Sequence, residues 1–204
     1  MRVAVIGATG TIGSAVAEAL EPRHDVVRAS RRGASAVDLD DPASFDALID
    51  SRRDLDAVVC CAASTGLAPF TSLSASEFAR SASSKLFGQV ALARWAFGAL
   101  SDEGSITLTS GTFAEPIAGS SAGALVNAGL EGFVRALAVE LPRGLRINTV
   151  SPGWVTESLV GAGLDASHGT PAAEVARAYV QAVEGTDRGQ TIRPAAANGE
   201  RQHS

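Results

Sequence analysis

Short apolar runs alternate along the chain with stretches in which apolar residues recur every three or four positions. Apolar runs of about four to eight residues bounded by turn residues are typical of buried strands, whereas the wider spacing is typical of helices. Their alternation predicts a parallel sheet covered by helices on both faces. The predicted strands are Met1–Ile6, Asp25–Ala29, Ala36–Leu39, Asp56–Cys61, Ser105–Thr109, Arg146–Val150 and Gln190–Arg193.

Helical patterns lie between these runs, and two of them are long. The first long helix opens with Ser74 and Glu77, which have the spacing of a capping box. The second carries small residues on the face opposite its apolar one, so another helix could approach it closely. The predicted helices are Thr11–Leu20, Pro42–Ser51, a helix running from Ser74 to Phe97, Ser120–Leu141 and Pro171–Val183.

The order of these elements predicts an α/β fold with one domain over residues 1–194. Crossovers between parallel strands are right-handed, so the helices fall on both sides of a doubly wound, mostly parallel, seven-stranded sheet. The last segment, 195–204, has no periodicity and is expected to be a frayed tail.

The first apolar run ends in a glycine-rich turn, Gly7-Ala-Thr-Gly10-Thr-Ile-Gly13. Gly7 allows a tight turn, Gly10 lets the backbone approach a pyrophosphate, and Gly13 lets the next helix pack closely. Free N–H groups and the helix dipole then favour a phosphate. A purely structural turn is the alternative, but the position between strand and helix favours a nucleotide cofactor. Its predicted contacts here are Gly7, Thr9, Gly10, Thr11, Ile12 and Gly13.

The turn after the second predicted strand, Ser30-Arg31-Arg32, indicates which cofactor is bound. An acidic residue there would bond a ribose 2′-hydroxyl, whereas the planar fork of an arginine suits a 2′-phosphate. No carboxylate occurs between Val26 and Val37, so the sequence favours NADP(H) over NAD(H). A solvated basic turn is the alternative interpretation.

Composition narrows the class of protein. The 204 residues carry a formal net charge of −5, so no general basic surface is available to hold nucleic acid. The two cysteines, Cys60 and Cys61, are adjacent, which excludes a disulfide framework and fits a reducing cytoplasm. No segment has the pattern of a secretory signal or a membrane span. We therefore expect a cytoplasmic protein that binds neither nucleic acid nor membrane.

Six segments, in order along nearly the whole chain, resemble the short-chain dehydrogenase/reductase family. They are the glycine turn, Asp38-Leu39, Cys60-Cys-Ala-Ala63, Thr107-Leu-Thr-Ser110-Gly, Leu130–Leu141 and Arg146-Ile-Asn-Thr-Val-Ser-Pro152-Gly153. The resemblance implies a Rossmann fold and hydride transfer at a nicotinamide.

The resemblance also implies further cofactor contacts. Asp38 would bond the adenine with Leu39 packed beside it, and Pro152-Gly153 would lie against the nicotinamide. Val155 and Thr156 would contact its carboxamide or the phosphates. The segment Cys60-Cys-Ala-Ala63 stands where the family has Asn-Asn-Ala-Gly, and its residues Cys61, Ala62 and Ala63 complete the implied set.

The catalytic positions depart from the family pattern. Such enzymes use a serine, a tyrosine that exchanges a proton with the substrate oxygen, and a lysine that keeps the phenol acidic and holds the ribose. Ser110 matches the serine, but Gly123 stands at the tyrosine position and Asn127 at the lysine position. The only tyrosine, Tyr179, lies in a late predicted helix, where packing is expected rather than catalysis.

The only lysine, Lys85, stands where the family usually has an active-site asparagine. By this resemblance, asparagine and lysine have exchanged places at Lys85 and Asn127. We hypothesise that Lys85 reaches the cavity near Ser110 and the ribose, where partial burial would lower its pKa enough for proton transfer. A solvated lysine on an amphipathic helix is the alternative, and an ammonium group in bulk solvent would end the hypothesis.

The other polar candidates are weaker. His168 lies in the loop of the substrate segment, Trp154–Thr170, where a proton donor is conceivable and simple exposure is the alternative. His24 and His203 are in a loop and the tail, so the sequence assembles no metal site. The cysteines are expected to pack at a strand end, because no neighbouring charge in the sequence activates either thiol.

The sequence supports two interpretations of the function. The first is an NADP(H)-dependent oxidoreductase acting on a small carbonyl or alcohol of unknown identity, with Ser110, Lys85 and Asn127 at the active site. The second is a non-catalytic NADP(H)-binding sensor or dimeric partner. A methyltransferase on a similar sheet is disfavoured by the Ser30-Arg31-Arg32 turn and by the motif Arg146–Gly153, which begins at the sixth predicted strand. Relatives in the family usually associate through the two long helices, so a homodimer or homotetramer is expected.

Overall fold

The computed structural model describes residues 1–32, 35–48, 54–62, 66–113 and 115–195. Three of the sequence predictions therefore lie wholly or partly outside the described residues. They are the cofactor contact of Ala63, the end of the predicted Pro42–Ser51 helix beyond Leu48 and, beyond Ala195, the expected tail.

A parallel sheet forms the centre of the molecule. Within the described part of the chain it has six strands in the order β2-β1-β3-β4-β5-β6, and each neighbouring pair is parallel. Four of these strands are almost entirely buried, as the near-continuous apolar runs require when helices cover both faces. The strands are β1 (Arg2–Ile6), β2 (Asp25–Ala29), β3 (Leu55–Cys60), β4 (Leu100–Thr109), β5 (Arg146–Val150) and β6 (Thr191–Ile192).

The prediction of a third strand at Ala36–Leu39, which would make the sheet seven-stranded, is wrong. This segment makes only isolated bridges, a parallel one between Ser30 and Ala36 and an antiparallel one between Asp38 and Asp41. The Asp38 N–H donates to the Ser44 hydroxyl at 2.9 Å, and the Asp38 carbonyl accepts from the Asp41 N–H at 3.0 Å, so both groups are bonded locally rather than to a neighbouring strand. This segment is a turn that follows β2 rather than a strand of its own.

Helices cover both faces of the sheet, as predicted. One face packs on α3, α4 and a short 3-10 helix, and the other packs on α1 and α6. The helices are α1 (Thr11–Leu20), α2 (Ala75–Ala82), α3 (Gln89–Ala99), α4 (Ser121–Leu137), α5 (Thr156–Gly161) and α6 (Ala172–Glu184), with 3-10 segments at Pro42–Leu48 and Phe70–Ser72.

The first long helix is interrupted. It begins at the predicted capping box, in which the Ser74 hydroxyl accepts from the Glu77 N–H while the Glu77 carboxylate accepts from the Ser74 N–H. Between α2 and α3 the chain forms a π-helical turn, Ser83–Gly88. Such turns are rare and occur frequently at functional sites. The predicted single helix is therefore three consecutive segments, and Lys85 lies in the middle one.

The glycine-rich turn joins β1 to α1 under tight steric limits. Gly7 has φ of +83°, and a Cβ there would lie 2.7 Å from the backbone nitrogen of Ala62. A Cβ at Gly13 would lie 2.1 Å from the carbonyl oxygen of Gly7. Both positions therefore require glycine, the first for conformation and contact, the second for the approach of α1 to the turn.

Replacing Gly13 by alanine is expected to lower the free energy of unfolding by about 1–3 kcal/mol, the usual cost of overpacking. The clash is with backbone, which can move only by opening the turn. Gly10→Ala is the matched control, because the nearest atom to its added Cβ, again the Gly7 carbonyl oxygen, is 3.4 Å away. Urea unfolding of both variants measures the difference; equal losses would contradict this explanation.

Candidate functional site

The carboxyl ends of β1, β2 and β3 meet at one edge of the sheet. From β1 the chain proceeds to β2 on one side and to β3 on the other, which creates the crevice where doubly wound sheets bind ligands. The N–H groups of Gly7 and Ala8 both donate to the Ala29 carbonyl, at 2.9 and 3.0 Å. These bonds fix the glycine-rich turn against the end of β2 and hold the crevice open.

A cavity of about 390 Å³ occupies this crevice. Its walls include most of the predicted cofactor contacts and also Lys85. It is lined by Gly7, Thr9, Gly10, Thr11, Ile12, Ser30, Arg31, Val37, Asp38, Leu39, Asp40, Cys61, Ala62, Lys85 and Ser158. Val37, Asp40 and Ser158 were not predicted; Ser158 lies on α5, a short helix that the sequence analysis missed.

One part of the cavity wall is formed by the start of α1. Gly10 is the N-cap residue, and no side chain caps the helix there. The first N–H groups of a helix have no partners within the helix, and its dipole places positive charge at that end. The residues present therefore fit a pyrophosphate, which would bond these N–H groups over the open surface of Gly10.

Another part of the cavity wall is formed by the turn after β2. Ser30, Arg31, Asp38 and Leu39 line it, whereas Arg32 is exposed outside its wall. The Ser30 hydroxyl donates to the Arg32 carbonyl at 2.5 Å and so closes the turn. Of the two arginines, Arg31 is the better placed to meet a 2′-phosphate.

Lys85 lies at the inner wall of the cavity, and its ammonium points into the protein. Its residue exposure is 6%. Nζ donates to the Ser110 carbonyl and to Asn127 Oδ1, both at 2.8 Å. Burial lowers the pKa of Lys85 from 10.5 to about 8, against a smaller opposing effect of Cys60. The solvated alternative for Lys85 therefore does not describe this structure, and one of its three N–H donors remains for a ligand.

The Ser110 hydroxyl points to a carboxylate rather than to Lys85. It donates to Glu131 Oε1 at 2.9 Å, and the Ser151 hydroxyl donates to the same oxygen at 3.0 Å. The other oxygen, Oε2, lies 3.5 Å from Arg193. Polarising a substrate carbonyl through Ser110 would require this hydroxyl to leave Glu131, so that role stays a prediction. Sequence reasoning missed Glu131, although its place one helical turn after Asn127 was a usable signal.

The segment after β5 lies beside the cavity without lining it, apart from Ser158. The Thr112 N–H donates to the Pro152 carbonyl at 3.0 Å, and Thr156 bonds Thr170. Gly153 is exposed and Val155 is buried. The implied contacts of Pro152, Gly153, Val155 and Thr156 with a nicotinamide therefore stay predictions.

Aromatic side chains flank this segment. Trp154 is 44% exposed and packs edge-on against Phe113, with ring centroids 6.1 Å apart. In the same segment Leu159 is buried, whereas Val160 and Leu164 are exposed. His168 is exposed as well. Apolar surface beside the cavity is therefore available to a substrate.

Tyr179 and the cysteines are packed beneath the site. Tyr179 is fully buried, and its hydroxyl lies 2.6 Å from that of Thr109. Burial raises the pKa of Tyr179 well above 10 and raises the pKa of Cys60 to about 12. These groups stay neutral at physiological pH and serve packing, while Cys61 also contributes to the cavity wall. No cluster of metal-binding side chains occurs among the described residues.

The glycine turn, the crevice and the cavity define a dinucleotide-binding α/β protein. The family model described as "Enoyl-(Acyl carrier protein) reductase" matches residues 7–191. The chain belongs to the short-chain dehydrogenase/reductase family, and its fold is that of the family's oxidoreductases.

Solved structures support this assignment. The protein lin1944 from Listeria innocua is 36% identical, with a TM-score of 0.88 over 96% of this chain and 100% of that one. A small-chain dehydrogenase in complex with NADPH is 26% identical, with a TM-score of 0.82 over 95% of each chain. A further small-chain dehydrogenase is 27% identical, with a TM-score of 0.80 and the same coverage. Among curated proteins no match was found.

Proposed function

We propose that the protein is an NADP(H)-dependent oxidoreductase in which Lys85, rather than a tyrosine, exchanges the proton with a small carbonyl or alcohol substrate. The observation that carries this proposal is the buried Lys85 ammonium at the wall of the cofactor cavity, held by Ser110 and Asn127. Gly123 and Asn127, at the positions of the family's tyrosine and lysine, have no group that titrates near physiological pH and so cannot take over the proton transfer.

The fit of the cavity to the cofactor supports NADP(H). The uncapped start of α1 suits the pyrophosphate, and Arg31 in the cavity wall suits a 2′-phosphate. A similar protein with 26% identity binds NADPH. When bound, the cofactor would supply or accept the hydride.

Lys85 is suited to move the proton. Its pKa of about 8 lies near physiological pH, where a general acid–base group is most effective. In carbonyl reduction, a proton would pass from Nζ to the substrate oxygen as hydride adds to the carbonyl carbon, and the neutral amine would then regain a proton from water. Asn127 and the Ser110 carbonyl accept hydrogen bonds from Nζ and orient its remaining N–H.

A non-catalytic NADP(H)-binding protein is the second candidate, favoured by Gly123 at the tyrosine position. The two are separated by titration with NADPH and NADH, followed by a panel of small aldehydes, ketones and alcohols with cofactor absorbance as the readout. Turnover with any of them supports the enzyme. Tight NADPH binding with no turnover across the panel supports the sensor.

The pH dependence of turnover should follow Lys85. Carbonyl reduction needs the ammonium form, so its rate is expected to fall about tenfold per pH unit above pH 8, whereas alcohol oxidation should rise up to about pH 8. Asn127→Asp would place a carboxylate 2.8 Å from Nζ and raise the pKa of Lys85, which moves both profiles to higher pH. Profiles that do not move in this variant would exclude Lys85 as the titrating group.

The surface of the two long helices supports association between copies of the chain. Phe87 and Leu125 are 63% and 54% exposed, and the neighbouring positions Ala128 and Gly129 are small and exposed. A homodimer or homotetramer through these helices stays our prediction, as does a cytoplasmic location. Across the described residues, no helix is both long enough and apolar enough to cross a membrane.

A further inference from the structure

Gln89 is a completely buried polar residue that the proposed chemistry does not use. It is the first residue of α3, immediately after the π-helical turn, and its exposure is 0%. A glutamine is rarely buried to this extent, and a buried amide that lacks hydrogen bonds is costly. The hydrogen-bond partners of Gln89 therefore indicate which parts of the structure it holds in place.

Three hydrogen bonds join the Gln89 amide to two separate pieces of backbone. Nε2 donates to the carbonyls of Lys85 and Thr109, both at 2.9 Å. Oε1 accepts from the Thr109 N–H at 2.8 Å. Both donors of the amide are used, and all of these bonds are buried.

The Thr109 backbone groups need such a partner because the neighbouring strand has ended. The last registered pair between β3 and β4 is Val59 with Thr107, and β3 stops at Cys60. Gln89 thus takes the place of a strand residue at the end of β4 while it also binds the carbonyl of Lys85.

These contacts form a closed cycle of hydrogen bonds and backbone that includes the Lys85 ammonium. Ser110 directly follows Thr109, and its carbonyl accepts from Lys85 Nζ at 2.8 Å. Gln89 therefore binds the backbone of Lys85, whose ammonium is the donor, and the backbone of Thr109, which precedes the acceptor Ser110. Shifting either piece would change the distance between Nζ and its partners.

We propose that Gln89 is the positioning residue that ties the π-helical turn to the end of β4 and thereby holds the Lys85 ammonium between Ser110 and Asn127. The proposal rests on the function proposed for Lys85 only in assigning the purpose of this arrangement. The arrangement itself can be tested without substrate.

Packing on the other side of the turn supports this role. A Cβ at Gly88 would lie 2.7 Å from the carbonyl oxygen of Leu39, a residue that lines the cofactor cavity. The turn is therefore held between the cavity wall and β4. Without Gln89, the Thr109 N–H and carbonyl would lose the side-chain partners that they have at the end of β4, and the π-helical turn would no longer be tied to this strand.

The test is Gln89→Met, which keeps the length of the side chain and removes its hydrogen bonds. Lys85 is the only lysine, so protein made with ¹³Cε-labelled lysine gives one NMR signal whose pH titration reports its pKa. We expect this pKa to rise from about 8 to roughly 9–10 as the ammonium becomes solvated. Gln181→Met on α6, which loses an exposed bond to Asp187, is the matched control and should leave the Lys85 titration unchanged.

A folded Gln89→Met protein with an unchanged Lys85 titration would overturn the proposal, since Gln89 would then only fill space. If this variant does not fold, Gln89→Asn decides, because its amide is one methylene too short to reach both backbones; the same rise in pKa is expected. Gln89→Glu keeps the length of the side chain and an acceptor for the Thr109 N–H, but it lacks the two N–H donors of the amide. The pKa of Lys85 is therefore expected to be raised in this variant as well.

The titration also separates this proposal from the proposed function. A raised pKa in Gln89→Met supports positioning even if the wild-type protein turns over no carbonyl. Conversely, turnover that depends on Lys85, together with an unchanged titration in Gln89→Met, supports the function and rejects the role of Gln89.

Discussion

Replacing Lys85 by methionine is expected to reduce turnover by about a hundredfold or more, because a positioned acid–base group typically contributes about 10²–10⁴-fold. Methionine has a similar length and removes only the titrating group and its two hydrogen bonds. The affinity for NADPH should change by no more than a few fold, since Lys85 is one of many residues that line the cavity. Steady-state rates and a cofactor titration on the same preparation measure both effects.

Arg94→Met is the matched control for this substitution. Arg94 lies on α3, two turns beyond the π-helical turn, and is exposed. The same change of a cation to methionine should leave rate and affinity as they are in the wild-type protein. If Lys85→Met retained full turnover, the proton would have to come from another group and the proposed role of Lys85 would be wrong.

The fold was predictable wherever burial alone decides the structure. β2 and β5 match their predicted bounds, and so does α1, because apolar runs and helical spacing leave little choice there. Ala36–Leu39 has a strand-like composition, but the Ser44 hydroxyl binds the Asp38 backbone instead. A side chain several residues away decided that outcome, and hydrophobic periodicity contains no information about it.

The candidate site was predictable where steric demands are local. Gly7 and Gly13 indicate the glycine-rich turn in the sequence, because tight backbone contacts require glycine at each position. The hydrogen bond between Lys85 and Asn127, by contrast, connects two separate helical segments. In the sequence it was indicated only by the lysine and asparagine that stand in exchanged places relative to the family pattern. Nothing in the local pattern around Ser83–Gly88 indicated a π-helical turn.

The buried hydrogen bonds of Gln89 and Glu131 were missed for a further physical reason. Gln89 and Glu131 look like ordinary polar residues on amphipathic helices, and their roles depend on which buried partners the fold brings within hydrogen-bond distance. Glu131 gathers two hydroxyl groups and Arg193 from three separate segments. Sequence separation hides such networks until the tertiary structure is known.

Replacing both Arg31 and Arg32 by alanine is expected to weaken NADPH binding by roughly tenfold to a hundredfold, since a hydrogen bond to a charged group is worth about 1.5–3 kcal/mol. NADH lacks the 2′-phosphate, so its affinity should change little. Arg31 lines the cavity and Arg32 does not, so Arg31→Ala alone should account for most of the loss. Titration of each variant with both cofactors measures the ratio of the two affinities.

Arg23→Ala supplies the control for charge alone, because Arg23 is exposed and paired with Glu184 at 3.0 Å, away from the cavity wall. It removes the same charge and should leave the preference between NADPH and NADH intact. Equal losses for the two cofactors in the Arg31 variant would show that the turn after β2 is only a solvated basic turn. A loss confined to NADPH would show that Arg31 meets the 2′-phosphate, a contact about which the glycine-rich turn gives no information.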